Sequence, residues 1–343
     1  AGVLTERFRV RRLSFWVMVA LAGACLAMAA VPNWIVLIFV IYALRLTGQG
    51  MMSQLGAVAM VRWFEAARGK ALSLSSMGFA AGQAILPVVF VALFASFHWR
   101  SLWVLAAALV LITMPVMLLL LRQERTPQSM AQSTQSAGMD GQHWTRVQMT
   151  RHGLFWLMIP LVIGPPAAWG TALFFQQVHL TEVKGWTLVS FVALMPLYTV
   201  TSVVSTFVSG WAIDRFGVTR GTPGQMLPFA LSFAVLAFAD TIAMAGVGLM
   251  IFGVGQGMQA TATSVFWAEF YGTRYIGSIK AVGAALMVFG SAIGPGVTGL
   301  FIDLGVDFPQ QMIPIAIYYA VAAIMATVGV LRYRKRLVAP ATA

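Results

Sequence analysis

What most constrains this chain is a rhythm in its hydropathy: long runs almost free of charge, each closed by a short polar break. The runs fall at roughly 13–31, 34–60, 71–97, 101–122, 153–178, 187–211, 225–240, 242–266, 279–303 and 311–331. All but 225–240 approach or exceed the ~20 apolar residues that cross a hydrocarbon core as a helix. Helices are the form that fits, because in lipid every backbone polar group must be satisfied within its own segment. The runs are too long and too evenly apolar for the alternating strands of an outer-membrane barrel. Composition agrees: 59% of residues are hydrophobic and 9% charged, against about a quarter charged in soluble domains. Lipid is therefore the expected solvent, and the expected fold class is an all-α membrane protein with about ten transmembrane helices.

The formal charge is +12, and its distribution decides what it means. The basic residues sit in short clusters between apolar runs and make no continuous basic face, so no nucleic-acid partner is expected. One alternating set of loops carries Arg7, Arg9, Arg11 and Arg12, then Arg62, Arg68 and Lys70, then Arg122, Arg125, Arg146 and Arg151. The same set continues with Arg215, Arg220, Arg274, Lys280 and the tail Arg332, Arg334, Lys335 and Arg336. The opposite set has only Arg100 and Lys184, while Arg45 lies inside a run. The positive-inside bias then puts the basic loops and both chain ends in the cytoplasm.

Enzyme chemistry finds no support. Glu6, Glu65, Glu124, Asp140, Glu182, Asp214, Asp240, Glu269, Asp303 and Asp307 all fall in loops or at run ends. They offer no buried pair for acid–base work and no metal-ligand spacing. Cys25, the single cysteine, lies in an apolar run and reads as a small buried side chain. No cofactor and no metal are expected.

The chain repeats itself. Gly2-Val-Leu-Thr-Glu6-Arg7-Phe8-Arg9-Val10-Arg11-Arg12 matches Gly210-Trp-Ala-Ile-Asp214-Arg215-Phe216-Gly217-Val218-Thr219-Arg220 in register. Gly48-Gln49-Gly50-Met51 returns as Gly255-Gln256-Gly257-Met258, and Gly69, Gly82 and Pro87 return as Gly277, Gly290 and Pro295. An offset that holds at 207 or 208 residues, with one single-residue slip, means two related halves. It predicts a first bundle over 1–122, a cytoplasmic linker with a short interfacial helix over 123–150, and a six-helix bundle with a basic tail over 151–343. Helices 153–178 and 187–211 have no partners at that offset, so the first helix and most of the second are expected upstream of Ala1, in a parent of six plus six.

Glycine, three residues, acid-arginine, one residue, then glycine and a basic residue resembles the signature loop of the major facilitator superfamily. Asp214, Arg215, Gly217 and Arg220 fit the family's eighth-to-ninth loop; Glu6, Arg7 and Arg12 fit the second-to-third loop, with Arg9 where glycine belongs. Arg45-Leu-Thr-Gly48-Gln49-Gly50 resembles the fourth-helix motif. Arg62-Trp63-Phe64, Arg68-Gly69-Lys70-Ala71 and Trp267-Ala-Glu269-Phe270-Tyr271-Gly272 resemble bacterial members similar to monocarboxylate transporters. The resemblance implies a two-bundle fold of twelve helices, a monomer in a bacterial inner membrane, and transport of a small solute with a coupling proton as candidate partner.

The signature residues can pair across a helix end as a cytoplasmic gate, each pair worth ~1 kcal/mol at partial exposure; the plainer alternative is topological anchoring. Tyr42, Arg45 and Gln49 are spaced to share one helical face. A mid-membrane charge costs about 2.5–3.5 kcal/mol, so Arg45 is expected to face a cavity, either offering its fork to a substrate carboxylate or bonding structural groups. Gln83, Trp169, Gln176, Tyr198, Gln256 and Gln259 complete the candidate cavity, and Pro165-Pro166 with Gly170 predict a broken helix. Gly78 with Gly82, and Gly290 with Gly294 and Pro295, read as helix-packing positions. Two rivals to a small-anion carrier stay open: an exporter of lipophilic compounds, and a membrane fragment that does not transport.

Overall fold

The computed structural model describes residues 9–52, 55–56, 59, 68–123, 137–272 and 274–337. All regular structure among them is helical. The chain divides into two compact units, Ala1–Ser133 and Thr134–Ala343.

In the first unit, α1 is Val10–Ala29 and α2 is Trp34–Leu44, which continues as a π-helical turn over Arg45–Met52. Asn33 starts α2 by accepting a hydrogen bond from the Val36 amide at 3.0 Å. Helix α3, Arg68–Phe94, runs through Pro87, and α4 is Trp99–Leu120. Arg100 donates through Nη2 to the Val31 carbonyl at 3.3 Å, tying the start of α4 to the turn after α1. Ala22, Cys25 and Ala107 are small enough for α1 and α4 to pack closely, so Cys25 is a buried packing residue.

In the second unit, α5 is Arg146–Arg151 and α6 is Gly153–Ile163. A π-helical segment, Gly164–Gly170, leads into α7, Thr171–Phe175; the chain breaks at Gln176 and resumes as α8, Gln177–Lys184. The sequence predicts a helix over 153–178 with an interruption at 165–170; the structure puts a π turn there and a second break six residues later. Then come α9, Leu188–Val192; α10, Met195–Phe216; α11, Val218–Gly224; and α12, Leu227–Ala237. Helix α13 is Ile242–Tyr271, α14 is Ile276–Asp303 and α15 is Phe308–Tyr333. The last three overrun their predicted bounds because the flanking polar residues still complete helical turns. Asp307 and Gln310, for example, form a reciprocal cap that starts α15 before its apolar run.

Helices α10 and α13 pack along their lengths through Gly253 and Gly257, one turn apart. A side chain on Gly253 would collide with the Tyr198 carbonyl and Thr201, and one on Gly257 with Ser202 and Ser205. Gly255, on the other face, lies against the Phe229 ring. Phe229, Phe233, Phe252 and Tyr319 form the aromatic core, with Phe229 stacked on Tyr319 at 5.2 Å between ring centres.

Among the described residues, seven helices are long and apolar enough to cross a membrane; Gly78–Phe94 and Leu227–Ala237 are shorter apolar helices. Their outer faces carry exposed Trp34, Phe39, Phe79, Leu120, Phe238 and Ile324. In water such a surface would aggregate, whereas in a bilayer it meets its solvent.

Candidate functional site

Arg45 opens the π turn, halfway along the apolar span Trp34–Met52. It is half-buried and makes an interaction of its own. Tyr42 is 66% exposed and Gln49 is exposed. The π turn widens the helix from Arg45 onward, so the regular spacing used to align Gln49 with Tyr42 does not hold across it. A local widening of this type is how a helix re-aims side chains at a site. Thr47 fits the same pattern: its hydroxyl donates to the Ala43 carbonyl at 2.7 Å. Gln83 is half-buried on α3.

In the second unit the predicted residues separate into two kinds. Tyr198 is 1% exposed and packs edge-on to Phe174 at 5.5 Å and against Phe252 at 5.8 Å between ring centres. It packs within the aromatic core. Gln259 is 5% exposed and donates through Nε2 to the Leu161 carbonyl at 3.1 Å, so it ties α13 to α6. That carbonyl lies four residues before Pro165, which has no amide to donate to it, and the glutamine replaces the missing donor.

The others stay near the broken helix. Gln176, at the break, donates through Nε2 to Thr298 Oγ1 at 3.2 Å and to the Pro295 carbonyl at 3.4 Å. Trp169 sits edge-on to Tyr318 at 5.6 Å between ring centres, and its buried indole N–H has no partner among the described residues. Tyr318 donates to the Pro160 carbonyl at 3.3 Å. Gln256 is half-buried on α13. Sequence reasoning missed Tyr318 and Gln311, whose amide bonds the Thr298 and Val306 carbonyls at 3.1 and 2.8 Å. Both lie on α15, the helix that the repeat left without a polar motif.

Gly294 on α14 meets the backbone of Ala168 so closely that a methyl there would overlap its carbonyl. Gly290 is buried and Pro295 half-buried on the same helix. A methyl at Gly78 would touch nothing within 4 Å among the described residues, and one at Gly82 only Leu86 of its own helix.

Of the signature residues, Glu6 and Arg7 lie outside the described residues, and Arg12 is exposed on the first turns of α1. Asp214 and Arg220 are on α10 and α11, with their side chains outside the description. Gly217 joins these helices at φ +80°, a backbone angle that favours glycine. Arg215 is exposed and lies over the Trp211 ring at 5.6 Å. Beside this corner, Ser205, Ser209, Ile213, Gly221 and Met258 line an apolar cavity of about 320 Å³.

At the opposite end of this unit, His179 Nε2 on α8 is 3.2 Å from Asp307 Oδ1, a close contact without hydrogen-bond alignment. No group of three or more metal-ligating side chains occurs among the described residues.

Comparison with known proteins decides the family. The model of the Major Facilitator Superfamily matches residues 1–295 and 194–342. The chain belongs to the Major Facilitator Superfamily. Membership and the apolar helices together make it a multi-pass membrane protein. Solved structures agree on the fold. A bacterial homologue of the human lysosomal transporter Spinster, inward-facing and occupied, gives a TM-score of 0.72 at 15% identity, over 99% of this chain and 86% of that one. The nucleoside transporter NupG gives 0.69 at 13% identity, over 98% and 85%. The human organic anion transporter MFSD10 gives 0.65 at 13% identity, over 92% and 77%. Among curated proteins, the multidrug resistance protein B homologue of Mycobacterium tuberculosis is 32% identical over 94 residues, 27% of this chain. That match spans only 17% of the relative's length.

Proposed function

We propose that the chain is a secondary transporter that moves a small organic anion, such as a monocarboxylate, by alternating access across a bacterial inner membrane. The observation that carries this is Arg45, a guanidinium set at a π turn in the middle of an apolar span. Arginine offers a planar fork matched to a carboxylate. The Trp169 indole N–H, without a partner among the described residues, gives the second unit a donor of its own. A monomer with its basic loops in the cytoplasm completes the proposal, with ten spans among Val10–Tyr333 and Asp214, Arg215 and Arg220 as gate residues.

A specific observation favours a second reading. The segment shared with the multidrug resistance homologue supports export of lipophilic compounds. Thermal shift separates the two. Short carboxylates should stabilise the parent, and Arg45→Ala should lose that shift while Arg45→Lys retains part of it. Stabilisation by lipophilic cations alone, unchanged in Arg45→Ala, would favour export.

A further inference from the structure

The strongest unassigned cluster lies at the basic end of the second unit, where residues 137–152 fold onto the ends of α13 and α15. Met139–Gly141 form a tight helical turn with Asp140 at φ +58°, a left-handed conformation that aspartate tolerates. Gly138 sits so close to the backbone of Phe270–Gly272 that no side chain would fit. The Trp144 amide donates to the Tyr271 carbonyl at 3.1 Å, and its indole donates to the Met139 carbonyl at 3.2 Å. Thr145 and Gln148 cap α5 reciprocally.

One guanidinium closes this arrangement. Arg336 donates from Nε and Nη2 to the two carboxylate oxygens of Asp140, at 3.0 and 2.6 Å. Its third nitrogen, Nη1, lies 3.4 Å from His152 Nε2. Arginine only donates, so as a hydrogen bond this contact requires the tautomer protonated on Nδ1, a buried nitrogen without a partner among the described residues. The His152 ring is packed between Trp144, at 4.8 Å, and Tyr333, at 4.6 Å between ring centres, with Tyr271 at 6.2 Å. The charged and titratable groups facing it are thus Arg336, Asp140, Tyr271 and Tyr333.

We propose that His152 is the proton-released pin of a clasp that fastens residues 137–152 to the ends of α13 and α15. With the ring neutral, the Arg336 fork holds Asp140 on one side and His152 on the other. Adding a proton to Nε2 removes the acceptor and sets a second positive charge against the guanidinium. The clasp then loses one of its contacts and gains a repulsion. Burial and the Arg336 charge both push the His152 pKa down from 6.5, with Asp140 opposing them. The sign follows: a histidine held neutral by the fold stabilises it above the ordinary histidine range, and that contribution is lost as pH falls through the lowered value. Acidification on the basic face therefore opens the clasp, whatever solute the protein carries.

The test is hydrogen exchange on the intact protein in lipid nanodiscs, with rates corrected for intrinsic pH dependence. Protection of residues 138–151 should be high at pH 7.5 and fall severalfold at pH 5.5. His152→Gln, which keeps a neutral acceptor, should stay protected at both pH values. Equal protection of the parent at both pH values, or an unchanged pH response in His152→Gln, would overturn the proposal. If His152→Gln is open throughout, nitrogen NMR of the parent decides. A neutral ring protonated on Nδ1, titrating together with the loss of protection, supports the clasp; the other tautomer, or separate midpoints, overturns it.

Discussion

Gly253 and Gly257 show how much can rest on an absent side chain. Both face the backbone of α10, and a methyl on Gly257 would press on the Ser202 carbonyl and the Thr206 amide. Gly257→Ala should therefore cost about 1–3 kcal/mol through overpacking, read as a lower Tm in detergent. Gly296→Ala, where a methyl meets nothing within 4 Å among the described residues, should stay within about 0.5 kcal/mol of the parent. The sequence showed Gly257 in the repeat of Gly48-Gln49-Gly50, yet only contact with α10 gives it and Gly253 their role. Tyr198 and Gln259 teach the converse. A tyrosine or glutamine in an apolar run looks functional, but one fills an aromatic core and the other serves a carbonyl orphaned by proline. Gln259→Leu removes that donor and should cost about 1–3 kcal/mol by thermal unfolding, without changing the response to ligands.

Helices were legible because hydropathy is local; their ends were less so, because capping and polar residues that complete helical turns carry α13, α14 and α15 past their apolar runs. Asn33, Thr187, Thr241 and Asp307 each cap a helix in the way their residue type predicts. The π turn at Arg45–Met52 and the break at Gln176 were less legible, since both depend on packing between distant segments. Only Pro165, Pro166 and Gly170 pointed to the broken helix. Gln176 holds the break to α14, while the His179–Asp307 contact holds α8 to α15. Gln176→Leu should cost about 1 kcal/mol and increase hydrogen exchange in residues 177–184, leaving α10 and α13 unchanged. If exchange rose equally everywhere, Gln176 would be a general core contact and not a hinge tie.

At the scale of the molecule, charge decides orientation and apolar surface decides solvent. Glu182 and Arg274 lie on opposite loop sets and are both exposed. In a Cys25→Ser background, Glu182→Cys should react with an impermeant thiol reagent from outside intact cells, and Arg274→Cys only after the membrane is opened. The family was legible in the Gly210–Arg220 loop because that motif is short and contiguous. The solute was not, because no contiguous motif of that kind names it.

Arg45 carries the central claim, and flux tests it most directly. The protein would be reconstituted in liposomes loaded with unlabelled lactate, and uptake of labelled lactate followed by counterflow, with other short carboxylates as competitors. The account predicts uptake in the parent, inhibition by competing carboxylates, and a loss of about a hundredfold in Arg45→Ala, in keeping with a lost charge-assisted pair. Equal carboxylate flux in the parent and a folded Arg45→Ala protein would contradict it.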